Sequence, residues 1–258
     1  MEIKDALNSL KVAKVSKTIF KEPNTVTNFH GKDVEGSFEY KKFGKDVFTS
    51  HVQQNYNWND ESFNYKWNSL GLRGNEPDYN ASKKIIFAGG SLSLGTGIPF
   101  EKSFPHLLAS YLDASYINLS DADTFTDILD PIKKLRSFDP DYVVLSDTRF
   151  IQLHGWALID IYNQKHIETN SVYKNIFFES DKKCLEFLDF YFKGLFPRAK
   201  IILTYCERRA WKNIVPNYEN ILSIPFSQDL VKDLARDNFH PGVVSHLNFA
   251  SKIYNSII

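Results

Sequence analysis

The stretch KIIFAGGSLSLGTG, residues 84–97, determines how the rest of the chain is interpreted. It opens with an apolar run at 85–88, which is typical of a buried strand. Two glycines follow, where the backbone can turn tightly and be approached closely, and Ser91 comes next. An amphipathic helix is predicted from about 103 to 113. A strand that ends in such a turn before a helix places the turn at the carboxyl edge of a sheet, where open α/β sheets bind ligands.

Three glycine-rich turns of known chemistry do not fit this stretch. A phosphate-binding P-loop needs a lysine directly after its last glycine, and Gly95 is followed by Thr96. The dinucleotide pattern G-x-G-x-x-G is absent from the stretch. The nucleophile elbow G-x-S-x-G fails because Ser93 stands where its second glycine is required. The remaining pattern is Gly-x-Ser-x-x-x-Gly, from Gly89 to Gly95.

A second motif, DNFHPG at residues 237–242, lies near the C-terminus. A serine hydroxyl is a poor nucleophile at neutral pH and needs a base within hydrogen-bond reach. That base needs a carboxylate on its other ring nitrogen, to fix its tautomer and stabilise the imidazolium. The spacing lets Asp237 reach His240 within one tight loop. Pro241 and Gly242 then end the loop and begin the last helix.

These two motifs, a serine early and Asp-x-x-His last, resemble block I and the last block of the SGNH (GDSL-type) hydrolases. The stretch NSLGLRG at residues 68–74 resembles the lead-in that often precedes block I. The resemblance covers roughly residues 65–258, with Gly90 in place of the family's Asp in Gly-Asp-Ser. It implies that Ser91 is the nucleophile and His240 the base. It also implies that Asp237 orients His240, and that no metal or organic cofactor is needed.

The resembled family stabilises the oxyanion with the nucleophile's own N–H, a glycine N–H after the second strand and an asparagine after the third. Here residues 120–123 contain no glycine and residues 146–150 contain no asparagine. Loss of one such donor typically costs roughly 3–4 kcal/mol of barrier. The candidates for the missing donors are Ser120, Asp123, Arg149 and Gln152.

Each candidate also has a simpler interpretation. Ser91 alone could be an ordinary turn serine, and its combination with the Asp-x-x-His motif favours the nucleophile. Ser93 is the fallback nucleophile, and His154 is a further candidate for reaching the site. His246 is expected to be a surface or packing residue on the last helix. Arg73 in the lead-in is expected to make structural hydrogen bonds with its planar fork.

Composition excludes several classes of protein. The 258 residues include 31 Lys+Arg and 31 Asp+Glu, so the formal net charge is zero and nothing favours nucleic acid or an anionic membrane. Cys184 and Cys206 have no metal-site spacing. The first residues lack the apolar core of a signal peptide, and no apolar run approaches a membrane span. We therefore expect a cytoplasmic or virion/assembly-associated protein, with no nucleic-acid or membrane partner.

From about residue 81 to residue 258 strands alternate with helices, which predicts a three-layer α/β/α domain. Five strands suit the flavodoxin-like parallel order 2-1-3-4-5. The long segment 147–180 is expected to hold a helix or a lid over the site. The predicted strands are 84–88, 115–119, 141–146, 200–204 and 220–224. The predicted helices are 103–113, 124–137, 181–195, 228–236 and 243–257.

Residues 1–80 form an aromatic-rich N-terminal extension. Residues 63–68 alternate strictly between apolar and polar, the period of a half-buried strand. These aromatics are interpreted either as packing against the hydrolase domain or as a sugar-stacking surface. The second interpretation uses Trp58, Tyr65 or Trp67.

The sequence therefore predicts a serine esterase that removes an acyl group, with acetyl favoured, from a carbohydrate or small-molecule ester. Two alternatives stay open. The same fold could transfer the acyl group to a sugar hydroxyl, since a lidded, dry site favours transfer. It could also be a catalytically impaired binding or structural module, because the two oxyanion positions depart from the family pattern.

Overall fold

The structure is a computed structural model. It describes residues 20–27, 63–120, 125–146, 181–206, 220–226, 228–236 and 240–258. The strands, numbered along the chain, are β1 (Val26–Thr27), β2 (Tyr65–Lys66), β3 (Lys84–Gly89), β4 (Ser115–Leu119), β5 (Tyr142–Ser146), β6 (Lys200–Cys206) and β7 (Ile221–Phe226). The helices are α1 (Ser91–Leu94), α2 (Phe104–Tyr111), α3 (Phe125–Lys134), α4 (Asp181–Leu195) and α5 (Val243–Ile257). Short 3₁₀ turns lie at Phe100–Lys102, Arg136–Phe138 and Gln228–Leu230.

The central sheet has the order β4-β3-β5-β6-β7, and every neighbouring pair is parallel. Counted within this sheet, the order is 2-1-3-4-5, as the sequence predicts. The next strand, β4, is added on one side of β3 and the following strand, β5, on the other, so the carboxyl end of β3 lies at the switch point where such sheets bind ligands. In the described part of the chain β7 is an outer strand, and Pro225 within it pairs with Tyr205 of β6.

Helices cover both faces of the sheet, which confirms the three-layer prediction. Alternate residues of β3 belong to different cores, because successive side chains of a strand point to opposite faces. Ile86 and Ala88 pack in the core that includes residues of α3 and α4. Ile85 and Phe87 pack in the core that includes residues of α2 and α5. With both faces covered, the strands read as nearly continuous apolar runs rather than alternating ones.

The boundaries of the five central strands and of most helices agree with the predictions to within one or two residues, with three exceptions. The helix predicted at 124–137 ends three residues early, at Lys134, and a 3₁₀ turn follows it. The four-residue helix α1 was not predicted. The helix predicted at 228–236 is wrong: the 3₁₀ turn ends at Leu230, and Leu234 instead forms an antiparallel bridge with Pro241.

The reason that 228–236 forms no helix is the carboxylate of Asp233, which is bound to the start of α5. It accepts the backbone N–H groups of Val244 at 2.9 Å and Ser245 at 2.8 Å, and the Ser245 hydroxyl donates to it at 2.6 Å. A carboxylate is favourable at a helix N-terminus, where the N–H groups lack intrahelical partners. The segment 231–236 is therefore held against the start of α5 and does not form a helix of its own.

The N-terminal extension is described at residues 20–27 and from 63 onward. Tyr65 and Trp67 are buried while Lys66 is exposed, as the alternation predicts. The two rings pack with Leu94 of α1. They therefore belong to a core, and the sugar-stacking interpretation is wrong for both; Trp58 lies outside the described residues. No helix among the described residues is long and apolar enough to cross a bilayer.

A buried histidine joins α5 to α2. His246 is 1% exposed, and its Nδ1 accepts the backbone N–H of Phe104, the first residue of α2, at 3.0 Å. Nδ1 is thus unprotonated, and the imidazole is neutral with its proton on Nε2. Burial, and secondarily the charges of Arg73 and His240, lower the pKa of His246 to about 3. His246 is a packing residue, one of the two roles expected from the sequence.

This histidine predicts loss of stability in mild acid. The pKa of His246 is about 3 in the folded protein, against the ordinary histidine value of 6.5 in the unfolded chain. The neutral form therefore contributes its full stabilisation above pH 6.5. As pH falls from 6.5 toward 3, His246 becomes protonated in the unfolded chain but stays neutral in the folded chain. The free energy of unfolding should then fall by up to about 1.4 kcal/mol per pH unit from this group.

Urea unfolding of the wild type and His246→Asn across this pH range measures the effect. Asparagine keeps an acceptor near Nδ1 but does not titrate, so the variant should be less stable near neutrality and show a shallower loss in acid. Equal slopes for the two proteins would contradict the assignment.

Candidate active site

Ser91 is the first residue of α1, two residues beyond the end of β3 at Gly89. Its side chain is partly exposed. Its carbonyl accepts the N–H groups of Gly95 at 3.0 Å and Thr96 at 3.1 Å. Gly95 is left-handed, with φ of 71°, and ends the helix after one turn. The structure therefore places the predicted nucleophile on a tight turn at the carboxyl edge of the sheet.

Gly89 allows this turn to lie directly against the end of β5. A Cβ at this position would stand 1.9 Å from the Ser146 carbonyl oxygen and 2.6 Å from Ser93 Oγ. The hydroxyls of Ser93 and Ser146 are hydrogen-bonded to each other beside it. Ser93 is 0% exposed, so its hydroxyl is a structural group that no substrate can reach. Ser93 is therefore excluded as a nucleophile, and Ser91 is the serine of this turn that is partly exposed.

Asn118 near the end of β4 also holds α1. Its Nδ2 donates to the Ser93 carbonyl at 2.9 Å, while Oδ1 is buried and has no hydrogen-bond partner among the described residues. Asn118 is not among the residues predicted from the sequence, although a polar side chain inside an apolar strand is a signal that could have found it. Ser120 follows β4 directly, at the same sheet edge as Ser91, and is 3% exposed. Asp123, Arg149, Gln152 and His154 lie outside the described residues.

The loop that carries His240 is bound to the turn that follows α1. The N–H of Arg236 donates to the Gly97 carbonyl at 2.9 Å, and the N–H of Ala235 donates to the His240 carbonyl at 2.8 Å. His240 is 8% exposed. Asp237 lies outside the described residues, so its contact with His240 stays a prediction. The structure thus brings the segments of the two sequence motifs against each other, although they are separated by more than a hundred residues.

Neighbouring polar groups that could compete for these roles are already bound. Both carboxylate oxygens of Asp233 accept hydrogen bonds from the start of α5, so this acid is occupied. The Nδ1 of His246 accepts a helix N–H and its ring is fully buried. Among the described residues, His240 is the histidine whose loop is bound to the turn, and its pairing with Asp237 stays a prediction from the sequence.

Arg73, from the lead-in, also contacts the turn. It is 1% exposed, and its guanidinium donates to the carbonyls of Leu94 at 2.6 Å, Gly95 at 2.7 Å and Ile98 at 2.8 Å. Its guanidinium carbon lies 4.0 Å from the centroid of the Tyr65 ring. The structural hydrogen bonds predicted for this arginine are confirmed.

A cavity of about 300 Å³ lies between the lead-in segment and the residues that precede α2. This volume is at the lower end of the range for small-molecule sites. The lining combines two aromatic rings, two amides and two opposite charges. The lining residues are Phe63, Asn64, Lys66, Gly74, Asn75, Pro99, Phe100 and Glu101. Arg236, from the loop that carries His240, lies 3.9 Å from the Phe63 ring centroid, so the cavity borders that loop.

The arrangement suits nucleophilic chemistry. A partly exposed hydroxyl at a sheet edge, with a histidine loop bound to the same turn, is the kind of pairing that nucleophilic catalysis requires. Within the described ranges no group of three or more His, Cys, Asp or Glu side chains is placed to hold a metal ion.

Known structures are similar to this chain at low sequence identity. A lipase, Lip_vut3, from a goat rumen metagenome is 14% identical, with a TM-score of 0.48 over 68% of this chain and 98% of the lipase. A protein described as lipolytic and of the G-D-S-L family, from Desulfitobacterium hafniense DCB-2, is 15% identical, with a TM-score of 0.46 over 68% and 100%. A family 2 carbohydrate esterase with a carbohydrate-binding domain, from Corynascus thermopiles (Myceliophthora fergusii), is 13% identical, with a TM-score of 0.44 over 76% and 70%.

These structures are esterases and lipases, the kind of protein that the sequence motifs resemble. At such identities and scores the likeness concerns the course of the backbone, and it assigns no role to any residue here. No protein-family model matches the sequence, and no curated protein matches it significantly. The roles proposed below come from contacts within this chain.

The close contact at Gly89 predicts that Gly89→Ala destabilises the protein strongly. The new methyl group would overlap the Ser146 carbonyl, so β3 and β5 must separate or α1 must shift. We expect a loss of at least about 2 kcal/mol in the free energy of unfolding, as overpacking in cores produces. Gly194→Ala is the matched control. Gly194 lies in α4 with nothing within 4 Å of an added Cβ.

Urea unfolding should show the control unchanged or stabilised by up to about 1 kcal/mol, since alanine favours a helix. Equal stability of Gly89→Ala and the wild type would show that the end of β3 is not closely packed.

Proposed function

We propose that the protein is an ester hydrolase that uses Ser91 as its nucleophile, His240 as its base and Asp237 to orient His240. The observation that carries the proposal is the hydrogen bond from Arg236 N–H to the Gly97 carbonyl, which binds the His240 loop to the Ser91 turn. Ser91 is partly exposed, whereas Ser93 beside it is buried and bonded to Ser146. One serine of this turn is thus accessible for reaction.

In the proposed mechanism the Ser91 hydroxyl attacks the ester carbonyl while His240 takes its proton. The tetrahedral intermediate collapses, the carbon–oxygen bond to the alcohol breaks, and His240 gives the proton to the departing alkoxide. A water molecule then attacks the acyl-serine with His240 as base, and the carboxylic acid leaves as Ser91 recovers its proton. Asp237 holds the imidazole in the required tautomer and stabilises its charged form.

The oxyanion needs donors aimed at the position where negative charge develops. The backbone N–H of Ser91 is the first. Ser120 supplies the second in this proposal, because it lies at the end of β4, the strand next to β3 in the sheet. Asp123 and Arg149 remain the further candidates on sequence grounds, with Arg149 as a cationic replacement for the asparagine of the resembled family.

The substrate is proposed to be an acyl ester, with acetyl favoured, of a carbohydrate or other small hydroxylated molecule. The cavity between residues 63–75 and α2 is proposed as the place for the alcohol part of such an ester, and Ser91 and His240 are not among its lining residues. Phe63 and Phe100 provide apolar surface, and Asn64 and Asn75 provide amides that can bind hydroxyl groups. Transfer of the acyl group to a sugar hydroxyl, or a purely binding role, are outcomes that the following test separates from hydrolysis.

The test compares Ser91→Ala with Ser93→Ala. The two serines lie on the same turn, but Ser93 is buried and bonded to Ser146. Ser91→Ala should lose fluorophosphonate labelling and reduce kcat on a chromogenic acetyl ester by about 10⁴-fold or more, as loss of a catalytic serine does. Ser93→Ala should still be labelled and stay far more active than Ser91→Ala, with a lower unfolding temperature, because it loses the bond to Ser146 but keeps the Ser91 hydroxyl. Retained turnover in folded Ser91→Ala would reject the mechanism.

The alternatives give different results in the same assay. A wild-type protein that is folded but neither labelled nor active would support the binding or structural module. If the acyl group appears on an added sugar rather than as free acid, the protein is a transferase with the same nucleophile. His240→Asn should abolish labelling in both enzymatic cases, because the base is lost.

A further inference from the structure

We propose that Arg73 and Tyr65 are positioning residues that hold Ser91 in register with the His240 loop. This rests on the proposed function. Neither side chain would touch the substrate carbonyl. Both act on the turn that follows α1, and both come from the segment that precedes the central sheet. That segment would then be part of the catalytic apparatus rather than an appendage to it.

Arg73 supplies donors to the carboxyl end of α1. The last carbonyls of a helix have no intrahelical partners, and the helix dipole makes that end negative. The Arg73 guanidinium donates hydrogen bonds to the carbonyls of Leu94, Gly95 and Ile98, and its positive charge is favourable at the negative end of the helix. Because α1 is a single turn, it has little stability of its own. Its position therefore depends on such contacts from outside.

Tyr65 acts on the same turn from the other side of Arg73. Its ring lies under the guanidinium, which favours the cation by a cation–π contact. Its hydroxyl oxygen accepts the N–H of Gly97 at 2.7 Å. The carbonyl of Gly97 in turn accepts the N–H of Arg236 in the His240 loop. Gly97 thus connects β2, which carries Tyr65, with the turn at residues 91–97 and the His240 loop.

Loss of either contact would let the turn shift while the sheet stays folded. Ser91 would then move relative to His240, and a misplacement of about 1 Å can cost about 10²-fold in rate. The effect should appear in kcat more than in KM, because the ester is still bound but the reacting groups are misaligned. A purely structural role would lower the unfolding temperature and leave kcat per folded molecule unchanged.

The test uses Arg73→Lys, which keeps the charge but loses the fork, and Tyr65→Phe, which keeps the ring but loses the hydroxyl. Arg136→Lys is the matched control. Arg136 also donates to a backbone carbonyl, that of Gly194 at 3.0 Å, but it lies just before β5 begins. Each full-length variant is assayed at a temperature where circular dichroism shows it folded.

We expect Arg73→Lys to lower kcat and the fluorophosphonate labelling rate at least about 10-fold, with KM changed less than about 3-fold. Tyr65→Phe should act in the same direction and more weakly, and Arg136→Lys should match the wild type. The pH midpoint of kcat/KM should stay unchanged in all three, because the base is intact. Wild-type kcat in both folded site variants would overturn the proposal.

Amide hydrogen exchange gives a readout that does not depend on catalysis. The N–H groups of Gly95 and Thr96 are bonded to Ser91, and that of Gly97 is bonded to Tyr65. Their protection should fall in Arg73→Lys, and that of Gly97 in Tyr65→Phe. If the wild type is inactive but these losses occur, the proposed hydrolase function fails while the holding contacts stand. Unchanged protection would overturn the positioning role whatever the activity.

Discussion

The missing side chain at Gly89 is the constraint on which the site depends. Because no Cβ intervenes, the end of β3 can lie against the end of β5, and the Ser93 and Ser146 hydroxyls can bond across the gap. Asn118 from β4 adds a bond to the same short helix. Three neighbouring strands thus fix one helical turn, and that turn sets where the Ser91 side chain stands.

The turn at residues 91–97 is also where distant parts of the chain meet. The segment before the sheet reaches it through Tyr65 and Arg73, and the segment after the last strand reaches it through Arg236. Each contact uses backbone groups of the turn, so the turn's own side chains are not needed for them. Ser91 is therefore left partly exposed for chemistry while the backbone beneath it is held.

The fold could be predicted from sequence because buried parallel strands are apolar runs, and five such runs separated by helical patterns leave few arrangements. Two short motifs predicted Ser91 and His240 as a catalytic pair; the structure brings the segments that carry them into contact, and their roles stay a prediction. What failed was decided by tertiary contacts. The stretch 228–236 has a helical pattern, yet the carboxylate of Asp233 is bound to the start of α5 and the helix does not continue beyond a 3₁₀ turn. The structural role of Ser93 depends on Ser146, which is remote in sequence.

The position of Pro225 has a consequence for how the molecule meets its own copies. An outer strand presents free N–H and C=O groups to which another chain can pair, and long flat edges of this kind promote aggregation. Proline has no N–H, so it interrupts the row of donors and is tolerated in sheets mainly at their edges. In the described sheet β7 is such an edge, and it carries this residue near its carboxyl end. Strand addition by a second copy is thereby discouraged at the carboxyl end of β7, on the side of the sheet away from β4.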